Sequence, residues 1–67
     1  MKIKDLLDTW DSGFYNIVTI YVDDLDNIVY EGDEKSVYKS EFIGKTVKTW
    51  YVDVFPKDNM ANISIEI

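Results

Sequence analysis

Alternation of apolar and polar residues near the carboxyl end predicts a β-strand with one buried face. From Ala61 to Ile67 every second residue is Ala or Ile, and the residues between them are polar. A period of two is typical of a half-buried strand. Residues 46–55 predict a preceding strand, which ends at Pro56 because proline lacks the N–H that a ladder needs. Its two faces are formed by Lys48, Trp50, Val52 and Val54 on one side and Val47, Thr49, Tyr51, Asp53 and Phe55 on the other. These two strands form one predicted hairpin.

The first third of the chain predicts a short helix followed by another hairpin. Ile3, Leu6, Leu7 and Trp10 recur at helical spacing. The helix is expected to end near residues 12–13, where a glycine suits the left-handed position after a helix. Residues 15–22 are rich in β-branched and aromatic side chains, the Asp-rich stretch 23–27 predicts a turn, and residues 28–31 predict the return strand.

The segment between the hairpins predicts irregular structure. Residues 32–36 are expected to break the return strand, and Ser40 is placed to cap one helical turn, 41–43, that stops at Gly44. Residues 1–67 therefore predict a single small α+β domain. It has an N-terminal amphipathic helix followed by two β-hairpins that form a small antiparallel sheet, either open or curled toward a small barrel.

The first strand is apolar on both faces, which raises the question of what covers the second one. Val18 and Ile20 lie on one face, and Ile17 and Tyr21 lie on the other. Because one short helix covers only one side of a sheet, the second face is a candidate surface for self-association. Core packing is the alternative explanation for these side chains. The candidate interface residues are Tyr15, Ile17, Tyr21, Tyr51 and Phe55.

Composition narrows the chemistry that the chain supports. The chain has no cysteine, histidine or arginine, which leaves out disulfides, thiolate nucleophiles, imidazole bases and the usual zinc sites. We expect no cofactor and no metal. Thirteen acidic residues against seven lysines give a net charge of −6, which disfavours nucleic acid and favours a protein partner with a basic surface. The polar amino terminus predicts neither a signal peptide nor a membrane span, so we expect a cytoplasmic protein.

Six carboxylates between residues 23 and 34 are the densest polar feature. One hypothesis is a functional acidic surface that occupies a basic groove on a nucleic-acid-binding protein. The alternative is a solvated turn and sheet edge that keeps a small protein soluble. Only fragments of a calcium-binding loop occur here, so a calcium site is not expected. The six residues are Asp23, Asp24, Asp26, Glu31, Asp33 and Glu34.

The sequence resembles short uncharacterised proteins carried by phages and prophages of Gram-positive bacteria. The resemblance rests on the helix start at 3–7, the strand running into an acidic turn at 18–24, the segment 28–32 and the alternating end. It implies a small accessory protein of a mobile element. Some acidic phage proteins of this size, including anti-CRISPR proteins, inhibit host defence nucleases. The resemblance implies such a role for the class of protein only and assigns no role to individual residues.

Three functions are compatible with the sequence. The first is a non-enzymatic binding module that docks on a basic host or phage protein, in the manner of a defence inhibitor. The second is a homo-oligomeric structural or assembly component. The third is an enzyme that nicks nucleic acid with a metal held by carboxylates, which we rank last because no sequence feature places two carboxylates in a pocket.

Overall fold

The computed structural model describes residues 1–10 and 13–67. A helix precedes two β-hairpins, and a short helix and a 3-10 turn connect the hairpins. The elements are α1 (Ile3–Thr9), β1 (Tyr15–Tyr21), β2 (Ile28–Asp33), α2 (Glu34–Tyr38), a 3-10 turn (Glu41–Gly44), β3 (Thr49–Phe55), a second 3-10 turn (Pro56–Asp58) and β4 (Met60–Glu66).

Helix α1 forms because its apolar residues share one side. Ile3, Leu6 and Leu7 are buried, as their spacing predicts. The backbone N–H of Lys2 donates to the carboxylate of Asp5 at 3.1 Å, which satisfies one of the donors left free at a helix start. Seven residues are too few for an isolated helix, so packing against the sheet stabilises α1.

The end of α1 differs from the prediction. The helix stops at Thr9 instead of continuing to residues 12–13, and residues 11 and 12 lie outside the described part of the chain. Gly13 has a φ of +75°, a left-handed backbone that suits glycine, but it lies four residues beyond the end of α1 and does not occupy the helix-capping position predicted for it, since Trp10 is the C-cap.

The sheet has four strands in the order β2-β1-β4-β3. The two hairpins, β1–β2 and β3–β4, are antiparallel as predicted. The expectation of a wholly antiparallel sheet is wrong, because β1 pairs with β4 in parallel. The expectation of a barrel is not supported either, since β2 and β3 each have one neighbour and the sheet stays open.

The connection between the hairpins explains the parallel pairing. The connection leaves the end of β2, passes over one face of the sheet as α2 and the first 3-10 turn, and reaches the start of β3. Strands β2 and β3 therefore run in the same direction. Their hairpin partners β1 and β4 must then also run in the same direction. A crossover of this kind is the connection that parallel strands require.

The hydrophobic core lies between this helical layer and the central strands. In the parallel register Val18 pairs with Ile63 and Ile20 pairs with Ile65. All four side chains are at most 1% exposed. The fully buried Val37 of α2 joins them. The buried cluster is completed by Ile3, Leu6 and Leu7, with Trp10, Tyr30, Phe42, Ile43, Val47, Val52 and Ile67 packed around it.

The second strand ends within residues 32–36 as predicted, but two residues later than expected, at Asp33. Strand β2 continues through Gly32, where a β-carbon would lie only 3.1 Å from the Tyr30 hydroxyl, so a glycine accommodates that side chain. Helix α2 then begins because the carboxylate of Asp33 accepts the Ser36 backbone N–H at 2.7 Å.

The remaining boundaries agree with the sequence or shift slightly. Ser40 caps the 3-10 turn by accepting the Phe42 N–H at 3.2 Å, as predicted. Strand β3 begins at Thr49 and not at Thr46, whose only strand-like contact is an isolated bridge to Lys2.

The position of the core predicts which isoleucine matters for stability. Ile65 is fully buried, whereas Ile28 is 48% exposed. Ile65→Ala should lower the free energy of unfolding by roughly 2–5 kcal/mol, because it removes buried methyl groups and leaves a cavity. Urea denaturation followed by circular dichroism measures this change. The matched substitution Ile28→Ala should cost less than about 1 kcal/mol, and equal losses in the two variants would contradict the assigned core.

Candidate functional site

The six carboxylates of the acidic segment do not form a single cluster. Asp23, Asp24 and Asp26 lie in the turn after β1, while Asp33 and Glu34 lie where β2 meets α2. Strand β2 separates the two groups, and its six residues span roughly 17 Å at 3.3 Å per step. The acidic segment is therefore a turn at one end of the sheet, a residue in the middle of β2, and a pair at the opposite end.

The acidic turn is held by its own backbone. The N–H of Asp24 donates to the carbonyl of Val22 at 2.8 Å, and the N–H of Asn27 donates to the carbonyl of Asp24 at 3.0 Å. The Asp24 carboxylate accepts the N–H of Asp26 at 2.9 Å, the local bond that favours aspartate in turns. Asp23 has a φ of +69°, a left-handed backbone that Asp and Asn tolerate better than most residues.

The turn presents charge and one apolar side chain to solvent. Asp23, Asp24 and Asp26 are exposed, and Leu25 between them is 47% exposed. Within residues 1–10 and 13–67, the carboxylates of Asp23 and Asp26 take part in no hydrogen bond or ion pair. These charges are thus available to a partner.

Glu31 belongs to a polar chain across the face of the sheet that the helices leave open. Its carboxylate accepts the Thr19 hydroxyl at 3.1 Å, and that hydroxyl accepts the Asn62 side-chain amide at 3.1 Å. The Ser64 hydroxyl donates to Asn62 at 3.0 Å. Thr19 and Ser64 are buried, so these bonds satisfy polar groups that would be costly to leave unpaired.

Asp33 and Glu34 have internal partners. The Asp33 carboxylate caps α2 and accepts the Tyr15 hydroxyl at 3.3 Å. The Glu34 carboxylate accepts the Asn16 side-chain amide at 3.0 Å. The hydrogen bond from the Ser36 backbone N–H is the largest cause that lowers the pKa of Asp33 below its ordinary value of 3.8. Both carboxylates hold the junction of β1, β2 and α2 together.

The candidate interface residues all lie on the face opposite the helices. The register places Tyr15 and Phe55 on either side of Met60 in one row, and Tyr51 beside Ser64. Tyr15, Tyr51 and Phe55 are 40–56% exposed, but Tyr21 is only 7% exposed within one chain. Burial is the main cause that raises the pKa of Tyr21. Ile17 is partly buried, so the solvent-facing part of this surface is aromatic and surrounds a polar centre.

Sequence reasoning missed several exposed apolar side chains, and Trp50, Val54 and Leu25 are among them. Trp50 and Val54 of β3 are 41% and 47% exposed although they face the helical side, because the helical layer does not reach this edge of the sheet. Leu25 lies in the acidic turn. The position of Leu25 among three aspartates could have indicated its exposure from the sequence. The exposure of Trp50 depends on strand order, which local sequence patterns do not determine.

No grouping of three or more acidic, histidine or cysteine side chains across the described ranges could hold a metal ion. Among these same residues, no helix is long and apolar enough to cross a membrane. No family model matches the chain, and neither a curated protein nor a solved structure matches it.

The cap on α2 predicts a pH dependence. Because the pKa of Asp33 is lowered in the folded state, its contribution to stability is present above the unfolded pKa of about 4 and is lost as pH falls through the lower, folded value. Asp33→Ala should therefore destabilise the protein at about pH 6, and the difference from the wild type should shrink toward about pH 2. Urea denaturation across this range measures it.

A second variant distinguishes the contact of the Asp33 carboxylate with Tyr15 from its contacts with Ser36. Tyr15→Phe removes a hydrogen bond that contributes less than the Ser36 contacts, so the Asp33 carboxyl should keep most of its lowered pKa in a nuclear magnetic resonance titration. A difference between Asp33→Ala and wild type that does not change with pH would show that the charge of the cap does not matter.

Proposed function

We propose that this protein is a non-enzymatic binding module whose acidic turn docks on a basic surface of another protein. The observation that carries the proposal is the turn itself. Its three carboxylates surround an exposed leucine, and those of Asp23 and Asp26 have no partner within the described residues. Four of the six acidic residues accept internal hydrogen bonds, including Asp24 in the turn.

The charge of the whole chain supports association with a basic partner. The net charge is −6, and the ion pair found in the described part of the chain, Lys4 with Asp8 at 2.7 Å, neutralises only one acidic side chain. An excess of unpaired carboxylates produces a long-range field that steers a positively charged protein toward the surface and raises the association rate.

The hydrogen bonding of the turn supports the same proposal. Because backbone hydrogen bonds already form the turn in the unbound chain, its binding loses less conformational entropy than ordering an unstructured loop would. Leu25 offers an apolar contact at its centre, and a buried apolar contact surrounded by charges is a common arrangement in protein interfaces. We therefore expect the partner to present a basic surface with a shallow apolar pocket that accepts Leu25.

The finer form of the proposal concerns the kind of partner. Proteins that bind nucleic acid present basic grooves lined with Lys and Arg for phosphates. Carboxylates on a fixed turn can occupy such a groove in place of phosphates, and the resemblance to small phage proteins favours a host defence protein as the target. A role as a homo-oligomeric assembly component is the second candidate, and the exposed aromatic residues of β3 favour it.

Removing the charge of the turn while preserving its backbone tests the proposal. The variant Asp23→Asn, Asp24→Asn, Asp26→Asn keeps a residue that tolerates the left-handed conformation at 23 and an acceptor oxygen at 24. Loss of three charges from a contact surface should weaken binding at least about tenfold. The measurement is capture of partners from host lysate with mass spectrometry, followed by affinity measurement on the purified partner at two salt concentrations.

A control variant with the same net charge isolates the turn. Glu41→Gln, Asp53→Asn, Asp58→Asn changes three exposed acidic residues on other elements and should leave capture intact. If the turn variant captured the same basic proteins as the wild type with unchanged affinity, the acidic-turn proposal would be wrong.

A further inference from the structure

The edge strand β3 exposes several large apolar side chains. Six of its seven residues are exposed. The exposed side chains include Trp50, Tyr51, Val54 and Phe55, each 40–47% exposed. Asp53 is the only charged residue in the strand, although the chain as a whole is strongly acidic. An apolar edge strand with few charges is a surface to which another strand can add.

The hydrogen bonds of β4 show which backbone groups of β3 are free. The N–H of Tyr15 donates to the carbonyl of Asn59 at 3.1 Å, and the N–H of Ile67 donates to the carbonyl of Tyr21 at 3.0 Å. Odd-numbered residues of β4 therefore bond to β1, and even-numbered residues bond to β3.

The register of the second hairpin completes this assignment. Even-numbered residues of β4 pair with Thr49, Tyr51, Asp53 and Phe55, so these four residues direct their N–H and C=O groups inward. Antiparallel strands alternate in direction at each residue. The N–H and C=O groups of Trp50, Val52 and Val54 must then point away from the sheet, along its free edge.

The other edge of the sheet, β2, differs in charge. It contains Glu31 and Asp33 and adjoins the acidic turn. Two copies pairing through β2 would place two glutamates opposite each other in the register centred on Glu31, and Glu31 opposite Asp33 in the register centred on Gly32, and like charges directly opposite destabilise a strand pair. The two edges are therefore not equivalent, and β3 is the edge suited to a second copy of this acidic chain.

We propose that two copies of this chain associate by antiparallel pairing of β3 with β3. A register centred on Val52 overlaps all seven residues of each strand. It places Trp50 opposite Val54 of the second copy, and it pairs the free N–H and C=O groups of residues 50, 52 and 54 in both chains. The two four-stranded sheets then form one continuous sheet of eight strands.

Neighbouring registers are less favourable. A shift that centres the pair on Asp53 puts two aspartates directly opposite each other. A shift that centres it on Tyr51 leaves the ends of both strands unpaired. In the register centred on Val52, Asp53 faces Tyr51 of the second copy and no charged residue has a like charge opposite it.

The acidic turns do not oppose this dimer. Each turn follows β1 and lies at the end of the sheet where β3 begins. Because the two β3 strands run in opposite directions, the two turns lie at opposite ends of the joined sheet. The dimer is therefore independent of the acidic-turn proposal, and either one can fail alone.

Two charge variants test both the interface and its register. Trp50→Lys, Val54→Lys should convert a dimer into a single chain, because each lysine faces a lysine of the second copy. Trp50→Lys, Val54→Glu should restore the dimer, because each lysine then faces a glutamate. Sedimentation equilibrium over a range of concentrations measures the mass, and circular dichroism checks that each variant is folded. Hydrogen exchange at the Val52 amide should slow as the wild-type concentration rises.

A matched control places the same two charges on the other edge. Ile28→Lys, Val29→Lys changes two exposed apolar residues of β2 and should leave the dimer mass unchanged. A wild type with the mass of one chain at every concentration would overturn the proposal, as would a dimer that survives Trp50→Lys, Val54→Lys. If that variant fails to fold, a wild-type Val52 amide whose exchange is independent of concentration is the overturning result.

Discussion

The parallel pairing of β1 with β4 is the constraint on which the rest of the structure depends. It places Val18 beside Ile63 and Ile20 beside Ile65 in the middle of the sheet, where burial of each side chain contributes roughly 1.5–3 kcal/mol. It also joins the two hairpins, whose mutual backbone hydrogen bonds within the described residues all run between β1 and β4 or the residues flanking β4. Without it, each hairpin would be a two-stranded ribbon, which is at best marginally stable in water. The crossover through α2, which makes β2 and β3 run in the same direction, is what makes this pairing parallel.

A single layer of short helices covers one face of the sheet, so the two faces differ in composition. The helical side is an apolar core. The opposite side has no covering layer, and its centre is filled by hydrogen bonds among Glu31, Thr19, Asn62 and Ser64. Thr19 and Ser64 are buried although no helix covers this face of the sheet. A chain of this length buries only about 60% of its unfolded surface, so polar bonds within the sheet replace a second apolar layer.

The sequence predicts the local elements well and their assembly poorly. The helix, the hairpins and the Ser40 cap follow from spacing and turn residues that lie within a few positions of one another. The parallel junction could not be predicted, because it depends on the path of residues 34–48 over the sheet. Helix α2 was missed since five residues carry no periodicity, and its stability comes from the Asp33 cap and the burial of Val37. The acidic turn was located correctly, but the dispersal of the other carboxylates required knowing that β2 continues through Gly32.

The strand order places the acidic turn and the apolar edge strand in different parts of the sheet. The acidic turn lies between β2 and β1, while the apolar edge is β3, at the far side of the sheet. If both were on one edge, the charge of the turn would repel a second copy at the place where it pairs. With two strands between them, the edge remains weakly charged and the turn remains exposed. The topology that buries the core at β1 and β4 therefore keeps the surface proposed for a basic partner apart from the edge proposed to pair with a second copy.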